Sequence, residues 1–429
     1  MPSPFSLFTA AGSALLAGTL LAQPAIGEWR DHFQYRNTMA VVQGNADLYC
    51  ATTTALFKYD VQTGESVRYT KVNALNEVNI QALGWNPARN TLVVGYRNGN
   101  LDLVGPSGTI NLPDIKRSSI VGDKGIYSMA SAGDLVYLGC GFGIVVVDLA
   151  RMEVKDTWLI GPNAAQVQVN AIAFQHDSIY AATQNGVFAA WQGEPNLAAY
   201  TNWHQRMDLP GANGAFSDIV VFNDQLVVNR RVGSNEEAEL DTLYHFDAGW
   251  QVLTAAGSDH NRSVRVSNDG ERLTVTGRNR VREFNTSLQE VHYADNLNGA
   301  ALRPRDAVHR DGGGIWIASD GHGLVHFNSA NNFGSHFPNG PDNNSVYRMA
   351  AAQGSIYVTT GGPSGNWGNE YRKDGVHFLV DGRWHTTHRD NDPLFDTGGN
   401  DYAGGFNDVM AVQVDPDDGA HAFIGSWDD

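Results

Sequence analysis

Apolar and polar residues alternate with a period of two through residues 169–188 (VNAIAFQHDSIYAATQNGVF). VNAIAF predicts one strand, His-Asp-Ser a turn, SIYAAT a second strand, Gln-Asn-Gly another turn, and VFAA the start of a third strand. Alternation broken by such clusters predicts a meander of antiparallel strands. The Asn185-Gly186 pair suits a two-residue turn with positive φ.

The pattern recurs. Aligned on the residue after the apolar start of the second strand, the copies fall at Tyr49, Val93, Tyr137, Tyr180, Val227, Thr274, Trp316, Tyr357 and Phe423. Successive spacings are 41 to 47 residues, with 66 before the last copy. About four strands in a repeat of roughly 40–50 residues is the period of a β-propeller blade. One such sheet cannot bury both faces alone, so blades must stack around an axis. The fold class expected is therefore all-β, a propeller of four-stranded antiparallel blades. Seven blades of this length use roughly 300 residues, which leaves room for the first blades of a second, truncated propeller. The expected division is a signal peptide at 1–22, a first propeller at 26–343 and the beginning of a second at 344–429.

Within each copy, an aromatic in the second strand is expected to pack between blades, as in GGIWIASDGHGLVHFN at 313–328. At the N-terminus, GEWRDHF resembles the outer-strand sequences GRWHTTH (382–388) and AGWQVLT (248–254). It could complete the last blade and close the ring, or NFGSHFP (332–338) could be that blade's own outer strand. Two copies carry insertions. RRVGSNEEAELDT in the fifth, with Arg230, Arg231, Glu236, Glu237 and Glu239, is expected to be a solvated loop. The eighth carries GGPSGNWGNEYRKDG at 361–375.

Composition narrows the function. A net charge of -17 and a pI near 5.1 argue against binding nucleic acid or an anionic membrane surface by bulk electrostatics. Residues 4–22 are apolar, uncharged and end in small residues, as in a secretory signal cleaved near Ala22. No later stretch has the roughly 18 apolar residues of a membrane span. The two cysteines, Cys50 and Cys140, fall in the first and third copies, which do not touch in a ring, so buried free thiols are expected.

Candidate chemistry is sparse. The loop at 388–408 carries Asp390, Asp392, Asp396, Asp401 and Asp408, but not in EF-hand order, and reads as a hydrated loop. His309, His322 and His326 lack metal-ligand spacing and belong on the surface or between blades. SNDGERLTV at 267–275 reads as an Asp-Gly turn. No G-x-S-x-G, H-E-x-x-H, C-x-x-C or phosphate loop is present. Catalytic, cofactor and metal residues are thus expected to be none, and the pattern does not single out ligand-binding residues.

IGEWRDHF (26–33), LYCATTTALFKYD (48–60), RNGNLDL (97–103) and PDIKRSSIVGDK (113–124) resemble the N-terminal propeller of the PorZ family, components of the type IX secretion system. The resemblance implies a non-enzymatic protein at the cell surface, working with the sortase PorU in an attachment complex with PorV and PorQ. It also implies delivery of anionic lipopolysaccharide to that sortase. The family continues through a second propeller into a β-sandwich, so IGSWDD at 424–429 reads as an interruption within a blade. An anionic ligand needs a local basic patch, with Arg97, Lys116, Arg117 and Lys124 as candidate members. The later copies also resemble two-component-regulator propellers, whose implied role is periplasmic recognition of a polysaccharide. A propeller hydrolase or lyase is disfavoured for want of a site.

Overall fold

Every complete repeat becomes a four-stranded antiparallel sheet in simple meander order. The computed structural model describes residues 30–233, 240–254, 259–310, 313–395 and 406–427. Seven sheets, at 40–69, 80–112, 126–158, 169–205, 215–254, 263–294 and 304–336, are here called blades 1 to 7. Their first strands neighbour one another in chain order, and Pro304–Arg310 of blade 7 lies against Ala40–Gln43 of blade 1. The result is a closed seven-bladed ring. Residues 348–387 form an eighth sheet, and Val409–Val414 pairs with Ala422–Ser426. All nine aligned positions lie on second strands.

The ring follows from two-sided apolar sheets. Each junction between blades holds its own buried cluster: Leu56 with Leu83 and Val94 between blades 1 and 2, for instance, and Val136 with Leu103 between 2 and 3. The aromatics sit in these seams as expected. Tyr49 stacks on Trp85 at 5.6 Å, and Tyr137 meets Phe174 edge-on at 4.9 Å. Trp316 stacks on His326 at 4.3 Å and packs 5.6 Å from Tyr59 across the closing seam. His309 hydrogen-bonds Glu283 of blade 6 (2.9 Å), while His322 is half-buried beside Ser319. Both cysteines are free and buried, Cys50 in the closing seam and Cys140 between blades 2 and 3, and burial pushes both thiols up.

Among the described residues, closure uses no shared strand. Asn332–His336 is the fourth strand of blade 7, so that edge is already occupied. Residues 30–35 form no strand, and 26–29 lie outside the described residues, as does the leader. The chain entering blade 1 instead crosses the turn of blade 7. Gly323 N–H donates to Arg36 O (2.8 Å), and Thr38 Oγ1 donates to Gly323 O (2.7 Å). Asp306 of blade 7 then accepts the Val41 N–H (3.2 Å).

Three local expectations change. In blade 4 the two-residue connection is Gln184-Asn185, because Thr183 pairs with Gly186. Gly186 (φ +126°) sits so close to the Ala212 carbonyl that a Cβ would lie 2.5 Å from it. Arg230 and Arg231 extend the strand Gln225–Arg231, where pairing with Ala215 and Phe216 holds them, and are not part of a solvated loop. Glu236, Glu237 and Glu239 lie outside the described residues. In the acidic loop, Asp408 is buried and accepts the backbone N–H groups of Glu370, Tyr371 and Arg372 at 2.8–2.9 Å, fixing the 361–375 insertion. Asp392 accepts the Thr387 hydroxyl at 2.9 Å, and Asp396 and Asp401 lie outside the described residues. The Asp269-Gly270 turn is formed as expected, with Gly270 at φ +75° and Asp269 accepting the Glu271 N–H.

Replacing Trp316 by Ala should cost about 3–5 kcal/mol in denaturant unfolding, because it empties the closing seam. Val121→Ala, at a position 82% exposed, should stay within about 0.5 kcal/mol. Equal effects at the two sites would contradict a ring closed by that seam.

Candidate functional site in the axial channel

Near the start of five inner strands, pairing slips by one residue and leaves Gln81, Tyr127, Asn170, Ser217 and Arg305 unmatched. In the other two blades, Met39 and Arg262 donate their N–H groups (2.7 Å each) to Ala51 and Thr276, the residues paired with their successors Ala40 and Ser263. A bulge bends the strand and re-aims its side chain. All seven residues line one end of the axial channel, around a cavity of about 490 Å³. A second cavity of about 570 Å³ follows towards the other end, walled by Trp85, Ser267 and His309 among others.

The collar is lopsided. Blades 1 and 2 supply Met39, Ala40, Gln81 and Ala82, whereas blades 5 to 7 supply Arg231, Arg262, Arg265, Arg305, Asp218 and Asp306. Carboxylates accompany three of the four guanidiniums: Asp306 beside Arg265, Asp320 beside Arg305 and Asp241 3.8 Å from Arg231, with Asp218 also on the cavity wall. Arg265 grips Asp306 with two contacts (Nε–Oδ1 3.2 Å, Nη2–Oδ2 3.3 Å), and Asp306 also takes the Val41 and Ala307 N–H groups. This pair is therefore structural as well as electrostatic. Arg305 reaches Asp320 at 3.3 Å, and Arg262 donates to the Pro304 carbonyl at 2.6 Å. Arg231 donates to the Asn261 carbonyl (2.8 Å) in front of the buried Asp241. Gln81 Oε1, Ser128 Oγ and Ser263 Oγ point into covered space without a protein partner.

Asp218 is the unusual carboxyl. It is partly exposed and lines the cavity beside Arg231 and Arg265. Burial pushes it up to about 7. Arg265 and Arg231 pull it down, Asp306 pushes it up further, and the Val264 N–H favours the ionised form. Asp306 in turn raises Arg265. Such a wall suits an oxyanion, which guanidiniums bind with paired N–H donors, while the amides suit hydroxyl groups.

The basic residues expected to form an anion-binding patch lie elsewhere. Lys124 donates to the Lys116 and Ser118 carbonyls (3.1 and 2.8 Å), so those segments meet, with Arg97 and Arg117 exposed. Lys116, however, is held by Glu77 at 2.6 Å, which lowers that carboxyl to about 2. Simple alternation gives no reason to turn Arg305 inward; the bulge in its strand does so. Comparing the starts of the seven repeats, where Arg262 and Arg305 stand at the positions of the uncharged Met39, Gln81, Tyr127, Asn170 and Ser217, would have been the available signal. Among the described residues no three His, Cys, Asp or Glu side chains are grouped to hold a metal, and no helix is long and apolar enough to cross a membrane.

The Asp218 carboxyl holds its proton more tightly folded than unfolded, so its contribution to stability falls as pH rises from 3.8 to about 7. Asp218→Asn should therefore gain stability relative to the parent across that window, with the difference level above it. Melting temperatures at pH 5 and 8 read this directly, and a pH-independent difference would count against the assignment.

Residues 48–204 match the family model of the PorZ N-terminal β-propeller domain of the type IX secretion system. Among solved structures the chain is similar to PorZ of Porphyromonas gingivalis, described as an essential bacterial surface component of that system. The identity is 18% and the TM-score 0.74, over 94% of this chain and 51% of that one. The chain thus spans about half the length of that relative. The β-propeller domain of Myceliophteria thermophila Cps50 (Swd1) is similar at 12% identity and TM-score 0.48, over 68% of this chain and 96% of that one. No curated protein matches. Residues 48–204 are thus similar to the PorZ N-terminal β-propeller domain, and the fold of the chain resembles that of PorZ along nearly its whole length.

Proposed function

We propose that this protein is a non-enzymatic, exported component of the type IX secretion system that acts at the cell surface. In this proposal it binds anionic lipopolysaccharide and presents it to a PorU-type sortase within an attachment complex. Residues 1–22 would direct export, residues 26–343 form the first propeller, and residues 344–429 open a second. The match of residues 48–204 to the PorZ N-terminal propeller carries the secretion half of the proposal. Arg231, Arg262, Arg265 and Arg305 in the channel wall support the ligand half as guanidinium donors on a chain of net charge -17.

A carboxyl raised to about 7 inside a cavity is also what a general acid requires. That single observation favours a glycan-cleaving alternative. Turnover on a glycan panel, lost in Asp218→Asn, would replace the non-enzymatic proposal.

Immobilised full-length protein should retrieve a PorU-type sortase from surface extracts of its own bacterium, identified by mass spectrometry. Repeated failure with intact extracts would remove the attachment-complex role.

A further inference from the structure

We propose that the junction between the seven-bladed ring and the eighth sheet is a proton-operated latch, closed while His32 and His377 are neutral and released when they take up protons. The inference concerns how residues 348–387 are held to the ring, and it goes beyond the proposed function without resting on it.

The junction relies on polar contacts. The buried cluster of the closing seam and that of the eighth sheet are separate. A cavity of about 310 Å³ lies at the junction, walled by apolar side chains such as Phe33, Val346, Met349 and Val358, together with His32 and His377. Three pieces of chain meet there: the entry segment 30–36, the connector 337–347, and the strands Val376–Val380 and Arg383–Thr387 of the eighth sheet. The connector passes so near the entry segment that a Cβ on Gly340 would stand 2.2 Å from the Phe33 carbonyl oxygen. Arg36 pairs with Asp342 at 2.6 Å, and the Gln34 N–H donates to Asn344 Oδ1 at 3.4 Å. Asn339 accepts the Trp384 backbone N–H (2.8 Å) and donates to the Trp384 carbonyl (3.2 Å).

Two imidazoles complete the contact. The Trp384 indole N–H donates to His32 Nδ1 at 3.0 Å. An indole nitrogen is a donor only, so Nδ1 must keep its lone pair. An imidazolium at position 32 would set two N–H groups against each other. His377 is buried, with Nδ1 2.8 Å from Thr386 Oγ1 and Nε2 3.1 Å from Asn343 Oδ1. It thereby ties the eighth sheet to the connector, and its charged form would stand desolvated beside the apolar cavity.

The surrounding charges leave the neutral forms favoured. Facing His32 are Asp31 and Arg30 of its own segment and Arg68 of blade 1. Partial burial lowers its imidazole, Asp31 opposes, and Arg68 and Arg30 lower it further. Facing His377 are Asp342 of the connector, Asp374 of the 361–375 insertion, and His388 just past the last strand of the sheet. Burial lowers its imidazole, the two aspartates oppose, and His388 lowers it further. Asp342 is already engaged by Arg36. Both groups thus bind a proton less tightly in the closed junction than at their ordinary 6.5. The closed form is therefore favoured above that pH and loses ground as pH falls below it. His32 is open to solvent, so protons reach it without prior opening.

The test is amide hydrogen exchange of the full-length protein at pH 5.5 and pH 7.5, each rate referred to the intrinsic rate at its own pH. The reporters are the Trp384 and Gln34 backbone N–H groups, which are bonded across the junction, with the paired strands of blade 3 as internal reference. Protection of both reporters should fall by about tenfold from pH 7.5 to pH 5.5, while the reference stays level. His32→Asn keeps a side-chain oxygen that can accept the indole N–H and takes up no proton, so it should shrink the response. His32→Asn/His377→Gln should abolish it, with parent-like protection at pH 7.5. A parent without the response, or a double variant that keeps it, would overturn the latch. If the double variant loses protection at both pH values, His32→Asn alone decides, and a response equal to the parent's overturns the proposal.

Discussion

A four-stranded sheet with two apolar faces must be covered on both sides, and everything else here follows from that requirement. Each blade is the lid of its predecessor and the floor of its successor, so each junction is a small hydrophobic core made by two sheets. Apolar burial stabilises by about 25 cal/mol per Å², and it acts here only when neighbours are present. The channel is a by-product of this stacking. Seven sheets meeting at their first strands leave an axial space that no backbone fills.

That by-product is where the chain diversifies. The seams tolerate only packing residues, whereas the bulged positions face open space and can carry any side chain. Blades 1 to 5 place the uncharged Met39, Gln81, Tyr127, Asn170 and Ser217 at these strand starts, and blades 6 and 7 place Arg262 and Arg305. Asp306 belongs to both worlds. It accepts an N–H from blade 1 and anchors Arg265 of blade 6, joining three blades at the edge of the cavity. Ring integrity and local electrostatics meet in one carboxylate.

Much of the architecture was legible in the sequence because period-two alternation and turn residues are local. The second-strand aromatics, the Asp269-Gly270 turn and the separated cysteines all follow from spacing alone. The closing geometry was not legible: GEWRDHF and NFGSHFP read alike as outer strands, and only three-dimensional pairing gives the edge to Asn332–His336. Nor was the site. A bulge depends on which partner residue is skipped, so Arg305 and Ser217 look like ordinary strand positions until the ladder is drawn. Arg231 was hidden for a related reason, since the polar insertion after it masks the true end of its strand.

The closing seam, made by the first and last blades of the ring, has a consequence for synthesis. Blade 1 emerges first, with one apolar face covered as soon as blade 2 folds. Its other face, including Leu48, Cys50 and Phe57, finds cover only when Trp316 and Leu324 of blade 7 arrive, more than 250 residues later. During that interval the nascent protein is an open crescent whose leading edge is greasy and unguarded. Such an edge invites aggregation in an unfolded or partly folded chain, so a holding factor during synthesis would find its natural target there.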